Sequence, residues 1–232
     1  MHSLIEMPRF LLLDNRDSFT YNLWAWVKKE GYPCRVVTCD EAPEAWETEP
    51  WDAAIVGPGP GTPYEAGSLM SFIARYASAK PLLGICLGHQ ALGLHAGATL
   101  CSAPAPMHGK VSTLLPTPVL QHKIQEMARG ASVHGLSLKV MRYHSLVLSQ
   151  LPADYLLLAN AEEDGTLQAM CHQSLPLWGY QFHPESIMTE APELYLRLFV
   201  ASLCGLSGPG SSWAGRDPDA KAEGGIVDLS HA

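Results

Sequence analysis

Residues 81–90 read Pro-Leu-Leu-Gly-Ile-Cys-Leu-Gly-His-Gln, an apolar run that passes through a glycine-flanked cysteine into a helical segment. An apolar strand turning at once into a helix belongs in a sheet with both faces covered. The glycines of G-x-C-x-G carry no side chain to clash across so tight a turn. Cys86, at the tip, is held out of the fold and lies where the unpaired N–H groups and dipole of a helix favour thiolate over thiol. Short glycine patterns recur by chance, so a core cysteine between two packing glycines remains open on this segment alone.

The rest of the first half repeats the pattern. Arg9–Leu13, Arg35–Thr38, Asp52–Val56 and Pro81–Ile85 read as short apolar strands. Between the first two, Phe19, Leu23, Trp26 and Val27 share one helical face, with Asp17 or Ser18 to cap it and Gly31 to end it. Ala66–Ala79 reads as a second helix, and a third begins after Cys86. Such sheets place ligands beyond the carboxyl ends of their strands. After about Ala98 the segments 98–115, 136–143, 155–160, 167–171 and 178–182 read as strands joined by turns rather than long crossover helices. Pro192–Leu203 is a final amphipathic helix. The expected fold is a single α/β domain of three layers: a central, largely parallel mixed sheet flanked by helices, with additional antiparallel strands. The domain is expected to span residues 1–206. Residues 207–232, rich in Gly, Ser, Pro and Asp, have almost nothing to bury and read as a disordered tail.

Of the 232 residues, 47% are hydrophobic and 16% charged, enough for one substantial core and too few residues for two domains. A net charge of −8 without a basic cluster argues against a nucleic-acid surface. No stretch reaches bilayer length and the first residues hold no long apolar segment, so a cytoplasmic chain is expected. The six cysteines (34, 39, 86, 101, 171 and 204) form no CxxC pair; all but Cys86 read as buried thiols.

A thiolate that attacks an amide needs donors for the oxygen that becomes charged. The Leu87 N–H is placed by the turn, and Gly57-Pro-Gly59-Pro-Gly61-Thr-Pro63 offers bare N–H groups after the third strand. It is neither a dinucleotide fingerprint nor a P-loop; a purely structural loop is its other reading. Near the end, Trp178-Gly-Tyr-Gln-Phe-His183-Pro-Glu185-Ser brings a histidine to a strand end. Two residues on, Glu185 can orient the far ring nitrogen, so His183 serves as base and then acid. Alone, this could be a loop with a satisfied histidine; beside an elbow cysteine it reads as catalytic. His89 reads as helix packing or as a residue supporting the site from behind, while His108 and His144 could line the mouth. No histidine set has zinc spacing, so no metal is expected.

Six segments, DNRDSFTYNL (14–23), GPGPGTP (57–63), PLLGICLGHQ (81–90), MHGK (107–110), RYHSLV (142–147) and WGYQFHPES (178–186), together resemble class I glutamine amidotransferases. The likeness is strongest to the glutaminase component of anthranilate synthase and aminodeoxychorismate synthase, over about residues 9–204. It implies that Cys86 attacks the side-chain amide of L-glutamine, with His183 as base and acid and Glu185 its orienter. It further implies oxyanion N–H groups from Gly61 and Leu87, and a glutamine pocket of Gly59, Gly61, Gln90, Ser145 and Leu146. It implies a partner too: a larger chorismate-binding synthase subunit that holds Mg²⁺, with no cofactor in this chain. Asn15 and Ser18 fall in a segment near the active site and synthase interface.

The chain departs from the family pattern in few places. Arg16 replaces an aromatic or aliphatic residue, Gly57 a serine, and His95-Ala96-Gly97 a bulky–Gly–Gly sequence. RYHSLV and HPESIMTE incline toward the folate component over the tryptophan one, and some family members serve both. A cysteine peptidase would share the nucleophile but not the pocket motifs. A non-catalytic scaffold would have no need of Cys86, His183 and Glu185.

Overall fold

The computed structural model of the chain describes residues 7–127 and 138–204. Its first four strands are β1 (Phe10–Asp14), β2 (Cys34–Thr38), β3 (Ala53–Val56) and β4 (Leu82–Ile85). The helices α1 (Thr20–Lys29) and α2 (Leu69–Tyr76) lie between them, and α3 (Leu87–His95) follows β4. Next come β5 (Leu100–Ser102), β6 (Lys110–Pro116), α4 (Pro118–Met127), β7 (Leu138–Arg142) and β8 (Leu146–Leu148). The chain continues through β9 (Tyr155–Ala161), β10 (Leu167–His172) and β11 (Leu177–Tyr180) to α5 (Pro192–Cys204).

Nine strands form one sheet in the order β2-β1-β3-β4-β11-β10-β9-β6-β7. From β2 to β11 neighbours are parallel; from β11 to β7 they are antiparallel. The mixed α/β sheet is thus parallel on one side of β11 and antiparallel on the other. Alternation along the strands builds two cores. Leu12, Ile55, Ile85 and Tyr180 pack with Leu23 and Val27 of α1, Ile124 of α4 and Phe199 of α5. Leu11, Leu13 and Val56 turn the other way, against Phe72 and Ile73 of α2 and Leu92 of α3. Each such buried side chain contributes about 1.5–3 kcal/mol, so both faces must be covered.

Several local expectations are corrected. The N-cap of α1 is Phe19, and the Asp17 carboxylate instead accepts the Phe19 N–H at 2.8 Å. The expected helix 66–79 shortens to α2, because Gly67 takes φ +50° just before it. The expected strand 98–115 is two strands. Between them the N–H groups of Ala103, Met107 and Gly109 donate to the carbonyls of Ser145, His144 and Arg142 at 2.8, 2.9 and 3.1 Å. The chain there follows the 142–145 loop, and β5 pairs with β8 in a separate two-stranded sheet. A helix, α4, stands where a turn was expected; only Leu120 and Ile124 of its ten residues are buried, too sparse a stripe to announce it.

Of the other thiols, Cys39 and Cys171 are buried, but Cys34 is half-buried and Cys101, on the short β5, is exposed. Among the described residues no helix is long and apolar enough to cross a membrane. The expected tail, 207–232, lies outside the described residues, as do the first two residues of the expected 136–143 strand.

Candidate active site

Cys86 sits between β4 and α3 with φ +52° and ψ −101°, a conformation that costs a side-chain-bearing residue about 1–3 kcal/mol. Its N–H donates to the Tyr180 carbonyl at 2.8 Å, tying the elbow to β11. The flanking glycines are required by contact. A Cβ on Gly84 would lie 2.4 Å from the Gly88 carbonyl, and one on Gly88 only 2.1 Å from the Val56 oxygen. The glycines are therefore packing residues, and they press the elbow so close to the sheet that Cys86 faces a cavity.

That cavity, of about 150 Å³, is bounded on one side by Gly59, Pro60 and Gly61 and beneath by Cys86, Leu87 and Gln90. Its remaining wall is Tyr143, His144, Ser145 and Leu146. Every residue expected to bind glutamine is in this lining, together with both expected oxyanion donors. Leu87 is the first residue of α3, where an N–H has no intrahelical acceptor. Gly61 holds φ +70°, and its loop is braced by Glu65, whose carboxylate accepts the Thr62 N–H and hydroxyl, both at 2.8 Å. Asn15 anchors the other end, its Nδ2 donating to the Gly57 carbonyl at 2.7 Å. Ser18 is exposed.

His183 follows β11 by three residues, and its N–H donates to the Met141 carbonyl at 2.9 Å. The Glu185 Oε1 lies 2.6 Å from His183 Nδ1, with both side chains almost wholly buried. Burial opposes charge on this ring, but the Glu185 carboxylate and the neighbouring Cys86 outweigh it and hold the His183 pKa well above the ordinary value. Nε2 is buried and spared of other partners, as a base that serves a thiol must be.

Two aromatic rings not expected at the site flank this imidazole edge-on: Tyr143 at 5.0 Å, and Phe19, expected on the core face of the first helix, at 5.7 Å between centroids. Tyr143 lines the small cavity and also a cleft of about 610 Å³ on the Glu185 side, with Phe19, Trp26 and Ile187. Tyr143 is thus common to the linings of both hollows and packs against the His183 ring. The presence of Tyr143 in RYHSLV and Phe19 in DNRDSFTYNL was the available signal.

The remaining expectations divide. His89 is fully buried, its ring against Gly179, and burial lowers its pKa to about 3, consistent with packing. His144 lines the cavity, but His108 is exposed, on the turn that leads into β6, and does not reach it. Arg16, in the left-handed region at φ +63°, turns outward and donates from Nε to Asp40 at 2.7 Å.

A parallel sheet, a strained cysteine elbow and a carboxylate-held histidine are the equipment of a thiol-dependent acyl-transfer enzyme. The chain belongs to the glutamine amidotransferase class-I family, whose model matches residues 11–203. It is 39% identical over 199 residues to anthranilate synthase component 2 of Thermus thermophilus, covering 84% of this chain and 93% of that protein. It is 41% identical over 197 residues to aminodeoxychorismate synthase component 2 of Serratia marcescens, covering 82% and 98%. The match to aminodeoxychorismate synthase of Streptomyces griseus, 41% over 189 residues, takes in 78% of this chain but only 24% of that longer protein. Among solved structures, a glutamine amidotransferase from Thermotoga maritima superposes with TM-score 0.56 at 17% identity. The overlap covers 86% of this chain and 84% of that one, and shows the shared fold.

Proposed function

We propose that this chain is the glutaminase subunit of a chorismate-using synthase, hydrolysing L-glutamine and passing ammonia to a larger subunit. The observation that carries this reading is the cavity at Cys86, which gathers Gly59, Gly61, Leu87, Gln90, Ser145 and Leu146 around one sulfur.

In this mechanism the Cys86 thiol gives its proton to Nε2 of His183, and Glu185 stabilises the imidazolium. The thiolate attacks the γ-amide carbon. The carbonyl oxygen, now negative, takes N–H bonds from Gly61 and Leu87; each such donor is worth roughly 3–4 kcal/mol. As the tetrahedral intermediate collapses, the C–N bond breaks, His183 donates its proton to the nitrogen, and ammonia leaves. Water then attacks the γ-glutamyl thioester, with His183 again taking a proton, and glutamate is released with the thiol restored.

The partner reading is supported by the surface beside the triad. Beyond Glu185 and the buried Ser186, Ile187 is 97% exposed and Met188 55%. Apolar side chains at the rim of a cleft suit a docking face, and a partner seated there would receive ammonia before water protonated it. Mg²⁺ would belong to that larger protein, and this chain would need no cofactor. The identity of the product is then set by the partner, because glutamine hydrolysis never touches the chorismate ring. Both subunits would work in the cytoplasm.

The test is reconstitution with each candidate chorismate-binding subunit, chorismate, Mg²⁺ and glutamine, with ammonia as the positive control. Glutamine-dependent product is expected with at least one partner. Synthesis from ammonia but not from glutamine, with every partner, would refute the proposal.

A further inference from the structure

The cavity-lining residues do not exhaust the groups that reach the sulfur. Gln181 follows β11, is wholly buried, and holds its side-chain Nε2 3.7 Å from Cys86 Sγ. We propose that Gln181 is a further catalytic residue: its amide N–H stabilises the Cys86 thiolate, and a buried chain of hydrogen bonds fixes which way that amide points.

An amide facing a sulfur presents either an N–H or an oxygen, and only the N–H favours a thiolate. Here the choice is made by the Leu146 carbonyl through Gln90, and Arg142 and His144 hold that carbonyl in place. Arg142 is fully buried and carries only donors. Its guanidinium is fixed by Asp164 at 2.8 Å, Thr166 at 2.9 Å and Ser112 at 3.1 Å, which leaves Nε to donate to His144 Nε2 at 3.0 Å. His144 Nε2 must therefore be unprotonated, so the ring proton is on Nδ1 and is donated to the Leu146 carbonyl at 3.0 Å. That carbonyl only accepts, so the group of Gln90 lying 3.0 Å from it is the nitrogen. The second hydrogen of Gln90 Nε2 goes to Gln181 Oε1 at 3.2 Å. With its oxygen so engaged, Gln181 must turn its nitrogen to Cys86.

A sulfur accepts weakly as a thiol and strongly as a thiolate, so such a bond favours the charged form. Burial strengthens the effect, since no water competes for the donor. The inference rests on Cys86 being the nucleophile of the proposed hydrolysis.

The experiment follows the rate of iodoacetamide alkylation at Cys86 against pH in the full chain, by peptide mapping so that exposed Cys101 is counted separately. Gln181→Met is compared with wild type, and Gln181→Leu serves if the methionine does not pack. The expected result is a rate near pH 7 lower by about tenfold, the worth of one hydrogen bond to a charged group. The two rates converge in alkali as both thiols ionise. A mere packing role for Gln181 would lower the melting temperature and leave the pH profile in place; a superimposed profile overturns the proposal. Wild-type Cys86 no faster than Cys101 and unprotected by glutamine would instead overturn the nucleophile assignment, and this inference with it.

Discussion

The two sides of β11 solve different problems. The parallel side is dry: β1, β3 and β4 bury Leu, Ile and Ala on both faces and deliver Cys86 at one strand end. The antiparallel side buries charge instead, with Arg142 at the end of β7 paired to Asp164 before β10. The difference teaches that the thiol is placed by steric means, through glycine contacts and a strained elbow. The cavity wall opposite is placed by hydrogen bonds, through the Arg142 network. Steric placement tolerates few substitutions but needs no proton in a particular position; the polar network depends on every partner.

The largest effects are expected at the reacting groups, where both sides meet. Cys86→Ala should lower glutamine hydrolysis by roughly 10⁵–10⁶-fold, as loss of a nucleophile does in related acyl transfer. Ammonia-dependent synthesis by the reconstituted partner should be untouched; loss of both activities would end the division of labour. Glu185→Gln leaves shape intact but removes the charge that holds His183, and kcat should fall on the order of 10⁴-fold. The comparison is made in steady-state assays, and a fall of less than tenfold would deny Glu185 its role.

The next prediction separates the two sides by stability. Arg142→Met leaves the Asp164 carboxylate without its buried cation and should cost about 3–5 kcal/mol in urea unfolding. Arg142→Met with Asp164→Leu should recover much of that loss. Equal loss in both variants would show that the site depends on packing, as the parallel side does, and not on the ion pair.

Acid should strain both sides together. Burial lowers the pKa of His89, and burial with the Arg142 charge that of His144, each to about 3. An unfolded histidine titrates near 6.5, so between these values the unfolded chain binds more protons. The stability these rings contribute is complete above about pH 6.5 and is lost as pH falls toward 3, about 2 kcal/mol for each by pH 5. Urea midpoints across this range should show the decline, and His89→Met should remove part of it; a flat profile would contradict the buried, neutral assignment. The smallest effect belongs to Arg16→Ala. Its pair with Asp40 is half-exposed on both sides, and no measurable change in melting temperature is expected.

What could be read from the sequence follows the same division. The elbow is local: strand, glycine, cysteine, glycine and helix occupy residues 82–95, and their order alone implies the geometry. His183 and Glu185 are two residues apart and were equally legible. Gln181 was not, although it lies two residues from His183. Its partners Gln90 and Cys86 are 91 and 95 residues away, and nothing in a linear pattern states which side chain meets another over that distance. The same limit hid the pairing of β5 with β8 and put His108 at a mouth it does not reach. Helix α4 was missed for a different reason: it covers the sheet with only two fully buried apolar residues.

The most direct test of the central claim is acid quenching of the chain during turnover with glutamine, followed by mass analysis of the peptide that contains Cys86. The account predicts a γ-glutamyl group attached through the sulfur, absent without glutamine and absent from Cys86→Ala. Continued glutamine hydrolysis by Cys86→Ala, with no adduct on the wild-type peptide, would contradict it.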